Sequence, residues 1–282
     1  MKNCKQKSQV PPPANIHESF TLSKKGDQIR NEDALHVGDR FIAVIDGVTA
    51  KTAAPVAATM SSGRFAAQTI CELLAAVPDL LQPQEILQWI NQQLKQAIAG
   101  SVFAESAEGP LASVILFDSH TNTVISYGDC QILLQGQVYK QEKSMDIQLS
   151  KKRSEILRAA VDRGISEKEL LQNDIGRAEI VQELLAYSSQ YANRPGGGFP
   201  VLGRGNIIPE YIETYPISSG QSVILASDGY PILSQTLGES EMHLKRIITE
   251  DPLLIREYLS TKGVVGDNVS YDDRTYIRFT VY

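Results

Sequence analysis

Three short apolar runs in this chain end abruptly at aspartate, and that pattern constrains the fold more than any other feature. FIAVI (residues 41–45) stops at Asp46-Gly47, TVISY (123–127) at Gly128-Asp129, and SVILA (222–226) runs through Ser227 to Asp228-Gly229. Short β-branched and aliphatic runs bounded by Gly and Asp read as buried strands. ASVILF (112–117), QILL (131–134) and RTYIRFTVY (274–282) share the texture, the last preceded by Asp272-Asp273. One Asp-Gly after a strand is ordinarily a turn. Several strand ends that each deliver a carboxylate, with Asp33 in RNEDAL as a further one, point instead to a shared site.

The segments between the strands have helical patterns. Residues 55–81 are Ala-rich, and Pro83 opens a second helical stretch with Ile86, Leu87, Ile90, Leu94 and Ile98 on one stripe. Residues 140–198 turn polar and helix-favouring and close on PGGGF, which predicts an inserted helical flap. Residues 241–248 and 252–259 predict two more helices before the last strand. This order predicts an α+β fold, a four-layer α-β-β-α sandwich of two antiparallel sheets flanked by helix pairs. The polar, proline-rich start reads as a flexible lead-in over residues 1–21, leaving 22–282 as one domain with its insert at about 140–198.

Composition excludes several classes. The formal charge is −6 with no long basic run, so nucleic acid is not expected as a partner. No stretch approaches the apolar length of a membrane span, and the N-terminus lacks the apolar centre of a signal peptide. Cys4, Cys71 and Cys130 are far apart and form no zinc pattern, which suits a reducing, cytoplasmic setting. Cys130, flanked by strand residues, reads as a small core hydrophobe. His17, His36, His120 and His243 are scattered without ligand spacing. GGGFPVLGRG (196–205) lacks the ending of a phosphate-binding P-loop and reads as a hinge.

A carboxylate at a buried strand end loses solvation, so its charge survives only with hydrogen bonds or a cation beside it. Oxygen ligands without His or Cys favour Mg²⁺ or Mn²⁺ over zinc or copper. Two such cations ~4 Å apart can clamp a phosphoryl group and acidify water. Gly47 and Gly229 fit a backbone that turns sharply and approaches a ligand.

In this order along the chain, NEDA (31–34), AVIDG (43–47), SYGDC (126–130), VLG (201–203), LASDG (225–229) and DDRT (272–275) resemble the type 2C, or PPM-type, metal-dependent serine/threonine protein phosphatases. The resemblance implies two divalent metals, Mn²⁺ or Mg²⁺. Asp46 would bridge them, the Gly47 carbonyl would hold one, and Asp228 and Asp272 would hold the other. It implies that Asp33 orients metal-bound water, that Asp129 serves a third, weaker metal, and that the insert is the flap beside the active site. Catalysis would then rest on Asp33, Asp46 and Asp228, with a metal-bridging hydroxide attacking phosphoserine or phosphothreonine of a phosphorylated protein partner.

The chain also departs from that family. The Arg expected five residues before Asp33 is Gln28, and Arg30, offset by two residues or roughly 7 Å of strand, is the candidate phosphate ligand, ahead of Lys24 and Lys25. After AVIDG the chain continues Val48-Thr49-Ala50-Lys51-Thr52, with no obvious general acid; Thr49 and Lys51 could touch phosphate, and Thr49 or Thr52 could cap a helix. Asp272-Asp273 stands where the family has Asp-Asn, with Asp267 as the competing alignment. Two other readings stay open: a pseudophosphatase that binds phosphoproteins, and a phosphatase of small metabolites.

Overall fold

The computed structural model describes residues 12–52 and 54–282. Ten strands form two antiparallel sheets. The first contains, in spatial order, β1 (Ala14–Leu22), β10 (Arg274–Val281), β9 (Ser222–Ala226), β6 (Gln131–Leu134) and β7 (Gln137–Lys140). The second contains β2 (Asp33–Val37), β3 (Phe41–Gly47), β4 (Ala112–Asp118), β5 (Thr123–Tyr127) and β8 (Glu213–Pro216).

The continuous apolar run of β3 has a simple cause: both of its faces are covered. Strand side chains alternate between faces. Ile42 and Val44 meet Ile132, Val223, Leu225, Ile277 and Phe279 of the first sheet across the inter-sheet core. Phe41, Ala43 and Ile45 face the other way, onto Ala66, Ala67 and Ile70 of α1 (Ser62–Leu73) and Ile86, Leu87, Ile90 and Leu94 of α2 (Pro83–Ala99). All of these helix residues are fully buried, and burying each large aliphatic side chain contributes about 1.5–3 kcal/mol. The far face of the first sheet carries Leu133, Ile224, Ala226 and Tyr276, covered by Tyr230, Leu233 and Leu237, the last opening α6 (Leu237–Glu250).

Three expectations need correction. Only residues 62–73 of the stretch 55–81 are α-helix, because Ser61 accepts the Arg64 N–H and caps the helix there (3.3 Å). The lead-in expected over residues 1–21 is strand from Ala14 onward: Ala14–Leu22 pairs along β10, with Ala14 and Ile16 turned to the inter-sheet core; residues 1–11 lie outside the described ones. Residues 252–259 are not helical. There Leu253 and Ile255 pack on the insert while Leu254, at φ +53°, packs on Leu244 and Ile247 of α6, so successive side chains must point in opposite directions, as a helix forbids.

The insert is helical, comprising α3 (Ser144–Asp162), α4 (Glu167–Gln172) and α5 (Ile175–Tyr191). Leu149 of α3 packs against Ile180 and Leu184 of α5. Leu157 and Ala160 of α3 and Leu170 of α4 pack against Leu253 and Ile255. No helix of the described residues is long and apolar enough to cross a membrane.

Candidate active site

The strand register brings the aspartates together. Asp33 at the start of β2 pairs with Asp46 near the end of β3, and Asp46 pairs across to Ser113 of β4. Ser113 Oγ donates to Asp129 Oδ1 (2.5 Å). That approach needs a glycine: Gly128 sits at φ +125°, and a Cβ there would lie 2.3 Å from the Ser113 side chain. On the other sheet, Asp228 follows β9 and Asp272 precedes β10, adjacent strands of one ladder. Tyr271 Oη holds the Asp228 carbonyl (2.9 Å).

Asp46, Gly47, Asp129, Asp228 and Asp272 line one cleft of about 420 Å³. Asp267, the competing alignment, does not line it. Asp33 lies behind the cleft, where Ser227 Oγ (2.7 Å) and Thr275 Oγ1 (2.9 Å) both donate to its Oδ2. This carboxylate of one sheet thereby fastens it to the other.

Gly47 and Gly229 permit close packing of backbone on backbone. A Cβ at Gly47 would fall 2.1 Å from the Gly63 carbonyl oxygen of α1, and one at Gly229 would fall 2.1 Å from the Asp273 carbonyl oxygen. Neither glycine has a positive φ.

The carboxylates differ sharply in how they are compensated. Burial, then the charges of Asp228, Asp33, Asp129 and Asp272, push Asp46 well above the usual carboxylate range. Burial and the neighbouring Asp272 and Asp129 raise Asp228 to about 7. Burial and Asp273 likewise push Asp33 up. For Asp272 burial acts upward too, but the ammoniums of Lys262 (2.6 Å) and Lys24 (3.5 Å) outweigh it and hold the group at about 2. Asp129 is held low in the same way, against burial, by Lys143 at 2.6 Å.

Asp46 and Asp228 make no side-chain hydrogen bond or ion pair with any described residue. Two carboxylates lining one cleft, whose repulsion the nearby lysines only partly offset, suit a hard cation. The donor chemistry therefore fits Mg²⁺ or Mn²⁺ at this pair. Among the described residues, however, no three His, Cys, Asp or Glu side chains are gathered as a ready cage, and Lys143 and Lys262 pair with Asp129 and Asp272.

Arg30, the expected phosphate ligand, is not in the cleft. It is 59% exposed and bonded to Asp27 through its Nε (2.6 Å). An arginine two residues from the expected position is satisfied locally by the acid three residues before it. Gln28 donates to the Thr21 carbonyl (2.6 Å). Lys24 is engaged with Glu32, Asp272 and Asp273 and with the Thr49 hydroxyl. Asp273 accepts the backbone N–H groups of Lys24 (2.8 Å) and Glu32 (2.6 Å), tying the β1–β2 connection to β10.

The cations lining the cleft are Lys51, Lys140, Lys143, Arg177 and Lys262. Of these the sequence singled out only Lys51. The others come from the insert, its approach and the segment after α6, and no local motif marks them. None of the four histidines lines the cleft. Cys130 is buried in the inter-sheet core, and Cys4 lies outside the described residues.

No family profile matches the chain, and no curated protein does. Among solved structures it is similar to the serine/threonine phosphatase PstP/Ppp of Mycobacterium tuberculosis, at 18% identity over 94% of this chain and 99% of that one, with a TM-score of 0.45. It is similar to the PPM Ser-Thr phosphatase MsPP from Mycobacterium smegmatis, at 16% identity over 95% and 100% of the chains and a TM-score of 0.46. It is also similar to the serine/threonine phosphatase Stp1 from Staphylococcus aureus, at 12% identity over 100% of both chains and a TM-score of 0.49.

Proposed function

We propose that the chain is a metal-dependent phosphomonoesterase of the type 2C class, acting on phosphoserine or phosphothreonine of a protein partner in the cytoplasm. The observation that carries this reading is the pair Asp46 and Asp228, delivered from two sheets to one cleft with no side-chain hydrogen bond or ion pair to a described residue, and with burial and repulsion outweighing the nearby lysines. The ordered motifs that supply Asp33, Asp46, Asp129, Asp228 and Asp272 support it.

Asp46, the Gly47 carbonyl and Asp228 would hold the divalent cations, Mn²⁺ or Mg²⁺, with Asp272 and Asp129 available once Lys262 and Lys143 give way. Such cations, when bound, neutralise phosphoryl oxygens and acidify water. The chain's own residues do the rest. Asp33, fixed by Ser227 and Thr275, keeps the Asp46 strand end in register with the opposite sheet. Tyr271 holds the backbone that presents Asp228. The insert closes one side of the cleft through Asp146, Arg177, Leu184 and Tyr187, so substrate choice belongs to it.

The test is hydrolysis of p-nitrophenyl phosphate and of phosphoserine and phosphothreonine peptides with Mn²⁺ or Mg²⁺, against sugar and nucleotide phosphates. Turnover that needs the metal and drops by at least ~10³-fold in Asp46→Asn and Asp228→Asn is expected. Absence of metal-dependent turnover on every phosphoester would overturn the reading. A second reading, a phosphoprotein-binding pseudophosphatase, is favoured by the lysines on Asp129 and Asp272 and by the absence of Arg30 from the cleft. It predicts phosphopeptide binding without turnover.

A further inference from the structure

With Gln28 and Arg30 outside the cleft, phosphate capture must be assigned to other cations. Lys51 and Arg177 stand out because both line the cleft and both have donors to spare. Lys51 Nζ makes no hydrogen bond to a described residue, its nearest acid being Glu108 Oε1 at 3.7 Å. Arg177 donates one N–H to the Thr261 carbonyl (3.0 Å) and forms no ion pair with a described residue. Lys143 and Lys262 are already committed, at 2.6 Å each, to Asp129 and Asp272.

The backbone that carries each of the two cations is anchored. Glu108, itself buried, accepts through one oxygen from Lys51 N (2.7 Å), Thr52 N (2.7 Å) and Thr52 Oγ1 (2.8 Å). Arg204 in turn holds the Ala107 and Glu108 carbonyls (2.7 Å each). Arg177 is in the first turn of α5, whose N-cap Asp174 accepts the Arg177 N–H (2.7 Å) and is bonded to the fully buried Arg153. Burial, then the charges of Lys143 and Arg177, work against the Lys51 ammonium, burial and Arg153 work against the Arg177 guanidinium, and Asp146 acts on both cations in the opposite sense. Partly desolvated like charges of this kind are costly unless an anion joins them. Arg supplies a planar fork for two oxygens and Lys a point charge for a third.

We propose that Lys51 and Arg177 form the subsite that binds the phosphoryl oxygens of the phosphomonoester, one wall coming from the loop after β3 and the other from the insert. This deepens the phosphatase reading and rests on it for the identity of the ligand. The subsite joins the insert to the sheet domain through the ligand itself.

The test combines kinetics and binding in Lys51→Gln and Arg177→Gln, with Arg30→Gln as a control and melting curves to verify folding. On p-nitrophenyl phosphate with Mn²⁺, KM should rise about tenfold or more in each variant while kcat changes less, and Arg30→Gln should match the parent. Calorimetry of a phosphoserine peptide and its unphosphorylated twin, on the Asp46→Asn background, should show the phosphate-dependent affinity falling by a similar factor. Arg177→Lys should recover part of the loss. Parental KM and affinity in both variants would overturn the subsite while leaving the phosphatase reading intact. Binding that depends on Lys51 and Arg177 without any turnover would keep the subsite and discard the phosphatase reading. Neither turnover nor phosphate-dependent binding in the parent would discard both.

Discussion

Burial and mutual repulsion penalise the charged forms of Asp46 and Asp228 more than Lys262 and Lys143 offset, and this has a measurable cost. Asp228 titrates at about 7 in the fold against an ordinary 3.8. A group raised on folding contributes stability that is complete below its unfolded value and is lost as pH climbs through the folded one. The metal-free protein should therefore lose stability between about pH 4 and pH 8 through this residue. In chelator, Asp228→Asn is expected to be more stable than the parent at pH 8 by about 1–3 kcal/mol, allowing for screening in an open cleft, with the gap closing only as pH falls to about 4. Urea denaturation at both pH values measures it. A parent as stable as the variant at pH 8 would mean that the charge is already compensated. Mn²⁺ or Mg²⁺ should reverse the order, because the cation adds stability only where its ligands are intact. Asp272 has the opposite sign. Held at about 2 by Lys262 and Lys24, it stabilises the fold above its ordinary value, and that contribution is lost as pH falls through about 2. Each of these aspartates is announced in the sequence by the apolar run beside it. Lys143, Arg177 and Lys262 are not, because their partners are fixed by tertiary contacts with segments 14 to more than 80 residues away or across a loop that carries no pattern of its own.

Elements meet around the site by close backbone approach, and glycine is what permits it. Gly47→Ala would place a methyl 2.1 Å from the Gly63 carbonyl oxygen and 2.5 Å from that of Glu32, and neither can move without shifting α1 or the β2 entry. A loss of about 3 kcal/mol, the upper end of overpacking, is expected in chemical denaturation. Gly136→Ala is the comparison. Gly136 has φ +82° but open space around it, so only the backbone penalty of about 1–2 kcal/mol applies. Equal losses in the two variants would contradict the packing role of Gly47. At this scale the inner strands were legible from β-branched runs and the helices from their apolar stripes, whereas the short edge strands β7 (QVYK) and β8 (ETYP), with one or no β-branched aliphatic residue each, were not. β1 was missed because its sequence, ANIHESFTL, sets polar residues between Ile16 and Phe20 and follows prolines, as an edge strand tolerates. Residues 252–259 were misread because their apolar residues serve two different neighbours, the insert and α6, and periodicity assumes one.

At the scale of the whole molecule, the insert is bolted to the segment after α6 by side chains reaching backbone. Arg153 of α3, with no exposed surface, donates to Asp174 (2.7 and 2.9 Å) and to the carbonyls of Leu253 (2.8 Å) and Ser260 (2.9 Å). Ser154 and Arg158 reach the Ile255 carbonyl, and Arg177 reaches that of Thr261. These bonds replace the helical ones that residues 252–259 do not make, and the segment leads directly to Lys262 on Asp272. One buried guanidinium therefore sets the placement of both Arg177, through Asp174, and Lys262. Arg153→Met keeps much of the volume but strands Asp174 and two carbonyls, so a loss of about 3–5 kcal/mol is expected if the whole molecule unfolds as one unit. If the insert opens separately, the loss appears there alone. Hydrogen exchange distinguishes the two: faster exchange over residues 144–191 and 251–264, with the ten strands as protected as in the parent, is the expected pattern. The same variant should raise KM for a phosphoester more than it lowers kcat, since it loosens Arg177 without touching Asp46 or Asp228. Uniform loss of protection across both sheets would show instead that the insert and the sandwich form one cooperative unit.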